Sequence, residues 1–309
     1  PITGFRTGVI GSSDVVDTAY DRPVSYGIRR CEFDHYLLRR SGADVRHGTP
    51  LSSVVRDGAG WILNRSIRAD MLVGAGGHFC PVARWLNPTA EERQPLVVAQ
   101  EAEFVVEPGE AATWPMVPGV PELYFCRDLS GYGWCFRKGQ YVNIGFGLLG
   151  RRSLPKAIAE FVAFLRTQRR IPDAASWPWR GHAYLVADAP HRRVFDDAVL
   201  LIGDAAGVAY PESGEGIQPA IASGRLAAST LIAAGGRYSR ERLERYEREL
   251  HTSGGGECVR RWLARAMRPA ITATLLPRLL GMRWFTRHLV LDRWFLHTGT
   301  QRDTCLDVR

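Results

Sequence analysis

The chain has 309 residues, 45% hydrophobic and 23% charged, with 32 glycines and 18 prolines. That composition can bury a core and excludes collagen-like, coiled-coil and wholly disordered classes. No run of about 18 apolar residues occurs, so no membrane-spanning helix is expected, and PITGFRTGVIGSSDV does not read as a secretory signal. Forty basic against 32 acidic residues leave a net charge of +8, which favours anionic partners without choosing among nucleic acid, lipid and a phosphate-bearing cofactor. The six cysteines (Cys31, Cys80, Cys126, Cys135, Cys258, Cys305) are scattered, with no C-x-x-C pair and no zinc-ligand spacing, as in a reduced, cytoplasmic protein with no metal centre.

Gly4, Gly8 and Gly11 follow no apolar strand and are wrongly spaced for a nucleotide-binding turn. Phe33, Leu37 and Leu38 recur at helical spacing before Ser41-Gly42, which predicts a short amphipathic helix near 32–41. Short strand-like runs follow as a meander with a turn at Asp57-Gly58-Ala59-Gly60. Residues 69–77, ADMLVGAGG, read as a brief buried strand stopped by glycines. Alternating positions over 95–150, including PELYFCRD and QYVNIGFGLL, predict a mostly antiparallel sheet.

Pro155 opens a surface helix over 155–169 with Ile158, Phe161, Val162 and Leu165 on its inner stripe. DAVLLIGDAAG, 197–207, reads as a second buried strand, and after it IQPAIASGRLAASTLIAA forms a helix that places Ile217, Ile221, Ala228 and Leu231 on one face and ends at Gly235-Gly236. From Cys258 to Leu296 there are eight arginines and one acid, Asp292, among leucines and tryptophans, broken by Pro269, Pro277 and Gly281. Such short basic helices either lie on an anionic bilayer or form a helical subdomain with leucines inside and arginines outside.

Two strand-then-glycine segments carry the chemistry. In LLIGDAAGVAYPESGEGI a buried strand delivers Asp204 at its carboxyl end, and Gly203, Gly207, Gly214 and Gly216 keep side chains away from anything approaching the backbone. The following helix aims its N-terminal N–H groups at the same place, which favours a phosphate or an anionic flavin edge. The Asp204 carboxylate can accept hydrogen bonds from sugar or ribityl hydroxyls. A nucleotide or flavin site follows, with a glycine-rich packing turn as the alternative. His78 beside Cys80 reads as a loop residue fixing a turn or as a group near a redox centre. No carboxylate dyad, G-x-S-x-G, Walker loop or H-E-x-x-H is present, so no catalytic residue is assigned.

The run Gly203-Asp204-Ala205-Ala206-Gly207, with Pro211, Gly214-Glu215-Gly216-Ile217 and Ala222-Ser223-Gly224, resembles the second FAD-binding motif of the para-hydroxybenzoate hydroxylase-like flavoproteins. Residues 69–84 resemble the companion motif, with Gly76 where the monooxygenases carry an acid. With Tyr132-Gly133-Trp134-Cys135-Phe136, that departure is similar to the geranylgeranyl reductase branch and its Tyr-x-Trp-x-Phe-Pro signature, although Arg137 stands in the place of its proline. The resemblance implies that Asp204 holds the ribityl chain, Gly207 lets the pyrophosphate approach, Gly214 to Ile217 lie beside the isoalloxazine, and Tyr132 and Trp134 line an apolar substrate cavity. It also implies that Arg30, three positions before Phe33-Asp34, contacts the cofactor; a solvated helix-entry arginine is the alternative.

A G-x-G-x-x-G βαβ unit opens members of this superfamily; residues 1–309 contain none, and it is expected upstream of Pro1. The expected fold is mixed α/β and α+β: parts of an FAD-binding domain with a parallel sheet at 1–94 and 180–235, an antiparallel substrate domain at 95–179 and a helical C-terminal region at 236–309. The implied activity is FAD-dependent reduction of double bonds in an isoprenoid or other lipid-like substrate, with NAD(P)H or another reductant as electron donor and an anionic membrane surface as a partner. The alternatives are a flavin-dependent monooxygenase or halogenase and a non-catalytic membrane- or partner-binding module. No nucleic-acid-reading motif is present.

Overall fold

The computed structural model describes residues 1–88, 96–149, 153–173, 177–185, 192–210, 213–253 and 277–298. The chain divides into two compact units, one of residues 1–44, 98–182 and 260–309 and the other of 45–97 and 183–259. The first 44 residues thus fall with the large sheet, whereas the sequence reading grouped them with the glycine motifs.

The largest sheet has seven strands in the order β11-β7-β10-β9-β8-β1-β2 and belongs to the first unit, except that the first two residues of β7 and the last three of β11, Tyr184 among them, fall in the second. Its strands are β1 (Gly4–Val9), β2 (Val15–Ala19), β7 (Leu96–Val105), β8 (Glu122–Phe125), β9 (Gly131–Lys138), β10 (Tyr141–Leu149) and β11 (Arg180–Leu185). β8, β9 and β10 pair antiparallel as expected, and β1 adds to β8 in parallel. β1 was not foreseen: Phe5, Thr7 and Val9 alternate inward, but Gly4 and Gly8 dilute the pattern. Helix α3 (Leu154–Thr167) lays Ile158, Phe161 and Leu165 on one sheet face, in a core with Ile144, Phe146 and Cys135. Gly133 is required there, because a Cβ would stand 2.5 Å from the Phe161 ring.

Also in this unit, α1 (Arg30–Ser41) starts two residues before the expected position and stops at Gly42 in the left-handed conformation. None of its residues is buried, and the predicted Leu37 and Leu38 stripe is exposed. Toward the C-terminus, a helical turn, α6 (Arg283–Phe285), runs into a π-helical segment, Thr286–Phe295. Leu291 and Trp294 are buried there, whereas Trp284 is 65% exposed; Trp262, Leu263, Leu275 and Leu276 lie outside the described residues.

In the second unit the expected meander is β3 (Val54–Asp57), β4 (Gly60–Leu63) and β5 (Ile67–Ala69). β6 (Leu72–Gly74) pairs in parallel with β13 (Val199–Leu201), and β12 (Phe195–Asp196) closes that sheet antiparallel. Helices α2 (Pro81–Leu86), α4 (Ile217–Ala234) and α5 (Arg240–Ser253) complete the unit. Its core joins Trp61, Leu200, Leu201, Leu243 and Tyr246. Both buried polar aromatics are satisfied: the Trp61 indole N–H donates to the Ala198 carbonyl at 2.6 Å and the Tyr246 hydroxyl to the Leu201 carbonyl at 2.6 Å.

Helix α4 corrects one expectation. Its buried side carries Pro219, Ser223, Ala227, Thr230 and Ala234, while Ile221 is 42% exposed. Ile217 and Leu231 are half-buried, and Leu231 packs with Leu226 against the core beside this face of small and hydroxyl residues. Ser223 Oγ accepts the Gly203 N–H at 2.9 Å. Cys80, Cys126 and Cys135 are buried and Cys31 exposed, and none of these four is in a disulfide. Among the described residues there is no cluster able to hold a metal and no helix long and apolar enough to cross a membrane.

Candidate functional site

The parallel pairing of β6 and β13 sets Val199, Leu200 and Leu201 beside Leu72, Val73 and Gly74, so the two glycine segments leave one sheet side by side at its carboxyl edge. In open α/β sheets that edge is where ligands bind. Gly74 permits the pairing: a Cβ there would stand 2.6 Å from Leu201 Cδ2 and 3.0 Å from Val82 Cβ. Gly76, which replaces the acid of the related motif, lies against Cys80, with the place of its Cβ 3.2 Å from the Cys80 Cα. Gly203, Gly207 and Gly214 hold φ values of 57°, 71° and 70°, which L side chains rarely adopt.

Asp204 sits in the turn Gly203–Ala205 directly after β13. Its Oδ1 lies 3.1 Å from where a Cβ on Gly216 would be, so the second glycine pair closes over the carboxylate. Tyr184, which the sequence reading missed, occupies the same place. Its hydroxyl stands where a Gly214 side chain would be, and burial, with the nearby Asp204 charge adding to it, pushes its ionisation well above the ordinary range. Nothing in GHAYLVAD marks this tyrosine as special.

Glu215 corrects the expectation of spare donors at the start of α4. Its Oε1 accepts the Gln218 N–H at 2.9 Å and the carboxylate also takes that of Ile217, while Pro219 has none to give. The helix terminus is thus capped by this chain's own carboxylate, whose pKa burial raises against the pull of those hydrogen bonds. Gly203, Asp204, Gly207, Gly214, Glu215, Gly216 and Ile217 all belong to the second unit; Pro211 lies outside the described residues. Arg30 belongs to the first unit, exposed, with its guanidinium on Asp34 at 3.1 and 3.3 Å.

Tyr132 and Trp134 also belong to the first unit. They project from β9 on the face opposite α3, where Phe125 and Phe295 meet the Tyr132 ring at 5.8 and 5.3 Å between centroids. The Trp134 indole lies flat across Gly145 of β10, since a Cβ there would collide with its six-membered ring. Its N–H donates to Asn143 Oδ1 at 2.7 Å, and Asn143 in turn donates to Glu101 Oε2 at 3.2 Å. The result is a sheet face of aromatic rings whose one indole donor is already taken.

These features define a flavoprotein-type fold. The chain belongs to the FAD binding domain family, whose model matches residues 17–255. It is 29% identical over 255 residues to the digeranylgeranylglycerophospholipid reductase of Methanocaldococcus jannaschii, covering 77% of this chain and 63% of that protein. The chain thus spans less than two thirds of that relative's length. A geranylgeranyl bacteriochlorophyll reductase-like protein from Thermoplasma acidophilum superposes with a TM-score of 0.70 at 19% identity, covering 97% of this chain and 81% of that one. A probable FAD-dependent monooxygenase from Pseudomonas aeruginosa, PqsL, gives 0.57 at 19%, over 93% and 81%. The residues present fit FAD: a glycine cradle that side chains would fill, and a carboxylate at the strand end that can accept from ribityl hydroxyls.

Proposed function

We propose that the chain serves an FAD-dependent oxidoreductase that reduces carbon–carbon double bonds of an isoprenoid, lipid-like substrate. The observation that carries this reading is the aromatic face of the large sheet, where the half-buried Tyr132, Trp134 and Phe295 offer ring surface beside the buried Phe125 and the indole N–H is engaged by Asn143. Such a face gains by covering hydrocarbon, at about 25 cal/mol per Å² removed from water. When bound, FAD supplies hydride chemistry, with NAD(P)H or another reductant as the electron source. The chain's own part is binding and orientation. Asp204 accepts from ribityl hydroxyls, and Gly207 and Gly214 let the cofactor approach the backbone. The 65% exposed Trp284 and 54% exposed Met282, among arginines 278, 283 and 287, suit delivery of the substrate from an anionic membrane surface.

Anaerobic reoxidation of the reduced flavoprotein by a geranylgeranyl lipid, with mass spectrometry of the product, tests the reading. A gain of one H₂ per double bond is expected. Reoxidation only by oxygen, with a hydroxylated or halogenated product, would assign the monooxygenase chemistry.

A further inference from the structure

Two carboxylates of β7 lie on the face of the large sheet that carries Trp134, and they are partnered differently. Glu103 stands between two cations: it pairs with Lys138 and, at 3.5 Å, with Arg29. Glu101, two residues earlier and so on the same face, has no cationic partner among the described residues. It accepts instead from the side-chain amide of Asn143 at 3.2 Å.

The buried Asn143 is locked in one orientation. The Trp134 indole can only donate, so the amide oxygen of Asn143 takes that N–H at 2.7 Å and its NH₂ turns to Glu101 Oε2. Trp134, Asn143 and Glu101 thus run in series across three neighbouring strands, β9, β10 and β7. Oε2 is engaged, so a proton carried by this half-buried carboxyl sits on Oε1. The residues around the series are small: the place of a Gly147 Cβ is 3.7 Å from Trp134 Cζ3 and 3.9 Å from Ala99 Cβ. The other ionisable side chains on the strands beside β7 in this unit are Tyr141 of β10, its ring 3.8 Å under the Arg29 guanidinium, and the exposed Arg180 and His182 of β11.

Resting on the lipid-reductase reading above, we infer that Glu101 is the acid that gives the double bond its proton, with Asn143 as its positioning residue. Saturating a double bond takes a hydride and a proton. In a trisubstituted isoprenoid alkene the π pair takes the proton from Oε1 at the carbon that bears hydrogen, so an O–H bond breaks and a C–H bond forms. Positive charge develops on the tertiary carbon, where the face of the Trp134 ring stabilises it, and the balancing hydride from the reduced flavin is accepted there. The alkene is reduced, the flavin is oxidised, and Glu101 regains its proton from water. Neighbouring cations favour the charged form of a carboxyl group and hydrocarbon cover the neutral one. Of the two carboxylates, Glu101 is therefore the one placed to carry a proton under a bound lipid.

The test compares the native chain with Glu101→Gln and Glu101→Asp. Calorimetry of geranylgeraniol binding to the full chain without flavin, in buffers of different ionisation heat at about pH 6, reads proton uptake: the native chain is expected to take up a proton as hydrocarbon covers the carboxyl, and Glu101→Gln to bind without uptake. In the flavin-loaded protein, anaerobic reoxidation by the lipid is expected to slow at least about a hundredfold in Glu101→Gln at equal flavin content. The native rate falls as pH rises, and that dependence is lost in Glu101→Gln. Glu101→Asp, which keeps the acid one methylene further back, is expected to retain the pH dependence at a reduced rate and covers the case in which the glutamine variant does not fold. Equal proton uptake by native and glutamine proteins, or lipid-dependent reoxidation of Glu101→Gln at the native rate and pH dependence, overturns the inference and leaves the lipid reading standing. Reoxidation of neither protein by an isoprenoid lipid, at full flavin content, removes the lipid reading and the inference with it.

Discussion

The hydroxyl of Tyr184 stands where a side chain on Gly214 would be, and Gly214 holds a φ of 70°. Two independent constraints therefore exclude any other residue at 214. Gly214→Ala is expected to cost about 1–3 kcal/mol of stability and to lower FAD affinity at least about tenfold. Pairing it with Tyr184→Phe removes the hydroxyl clash but not the backbone strain, so the double variant should recover only part of the loss. Flavin-fluorescence titration and urea unfolding check both; full recovery would show that backbone strain contributes nothing.

Glu215 makes stability depend on pH. Its folded pKa is raised by burial above the ordinary 4.5, so protonation favours the folded state. Its contribution is full below about pH 4.5 and is lost as pH rises through the folded value. Glu215→Gln keeps an oxygen for the Gln218 N–H and removes the titration. The variant should therefore gain on the native chain as pH rises above about 4.5, and stop gaining once the raised folded value has been passed. Thermal melts across this range decide; a native chain that gains on the variant as pH rises would reverse the sign.

On the far side of the large sheet, the Glu122 carboxylate is 2% exposed and accepts from Arg170 Nε at 3.0 Å and from the Tyr124 hydroxyl at 2.8 Å. The Cys135 thiol lies 3.5 Å away, with its ionisation pushed up by burial and by that carboxylate. Arg170→Met leaves a buried charge with one hydroxyl and one weak thiol donor, and is expected to destabilise by about 3–5 kcal/mol in urea unfolding. Arg170→Met with Glu122→Leu should recover most of that, because no charge is then stranded. A double variant no better than the single would locate the loss in packing.

Local patterns made part of this legible. Asp204 at the end of an apolar run, with glycines after it, is a strand and a turn wherever it folds, and Ile158, Phe161 and Leu165 declare the inner side of α3 by spacing alone. What escaped depends on partners distant in the chain. β1 is broken by Gly8, which is small because the Tyr124 ring lies over it, with a Cβ falling 3.2 Å from Cδ1. The inner face of α4 carries Ser223, whose Oγ accepts the Gly203 N–H, a pairing that spacing within the helix does not show. Tyr184 and the capping role of Glu215 carry no signal in their own neighbourhoods.

Trp134 and Gly145 face each other across β9 and β10, and the indole covers the glycine completely enough that a Cβ at 145 would enter its ring. Gly145→Ala must therefore tilt the indole off the sheet and break its 2.7 Å hydrogen bond to Asn143, leaving that amide short of a partner. The stability cost is expected to be about 1–3 kcal/mol, from overpacking and the lost bond. Because the disturbance lies in the first unit, flavin affinity should be unchanged while reoxidation of the reduced protein by an isoprenoid lipid slows. Trp134→Phe separates the two effects: it keeps an aromatic surface over Gly145 and loses only the N–H, so lipid-dependent reoxidation should persist. If Gly145→Ala leaves lipid-dependent reoxidation untouched at equal flavin content, the aromatic face is core and the substrate lies elsewhere.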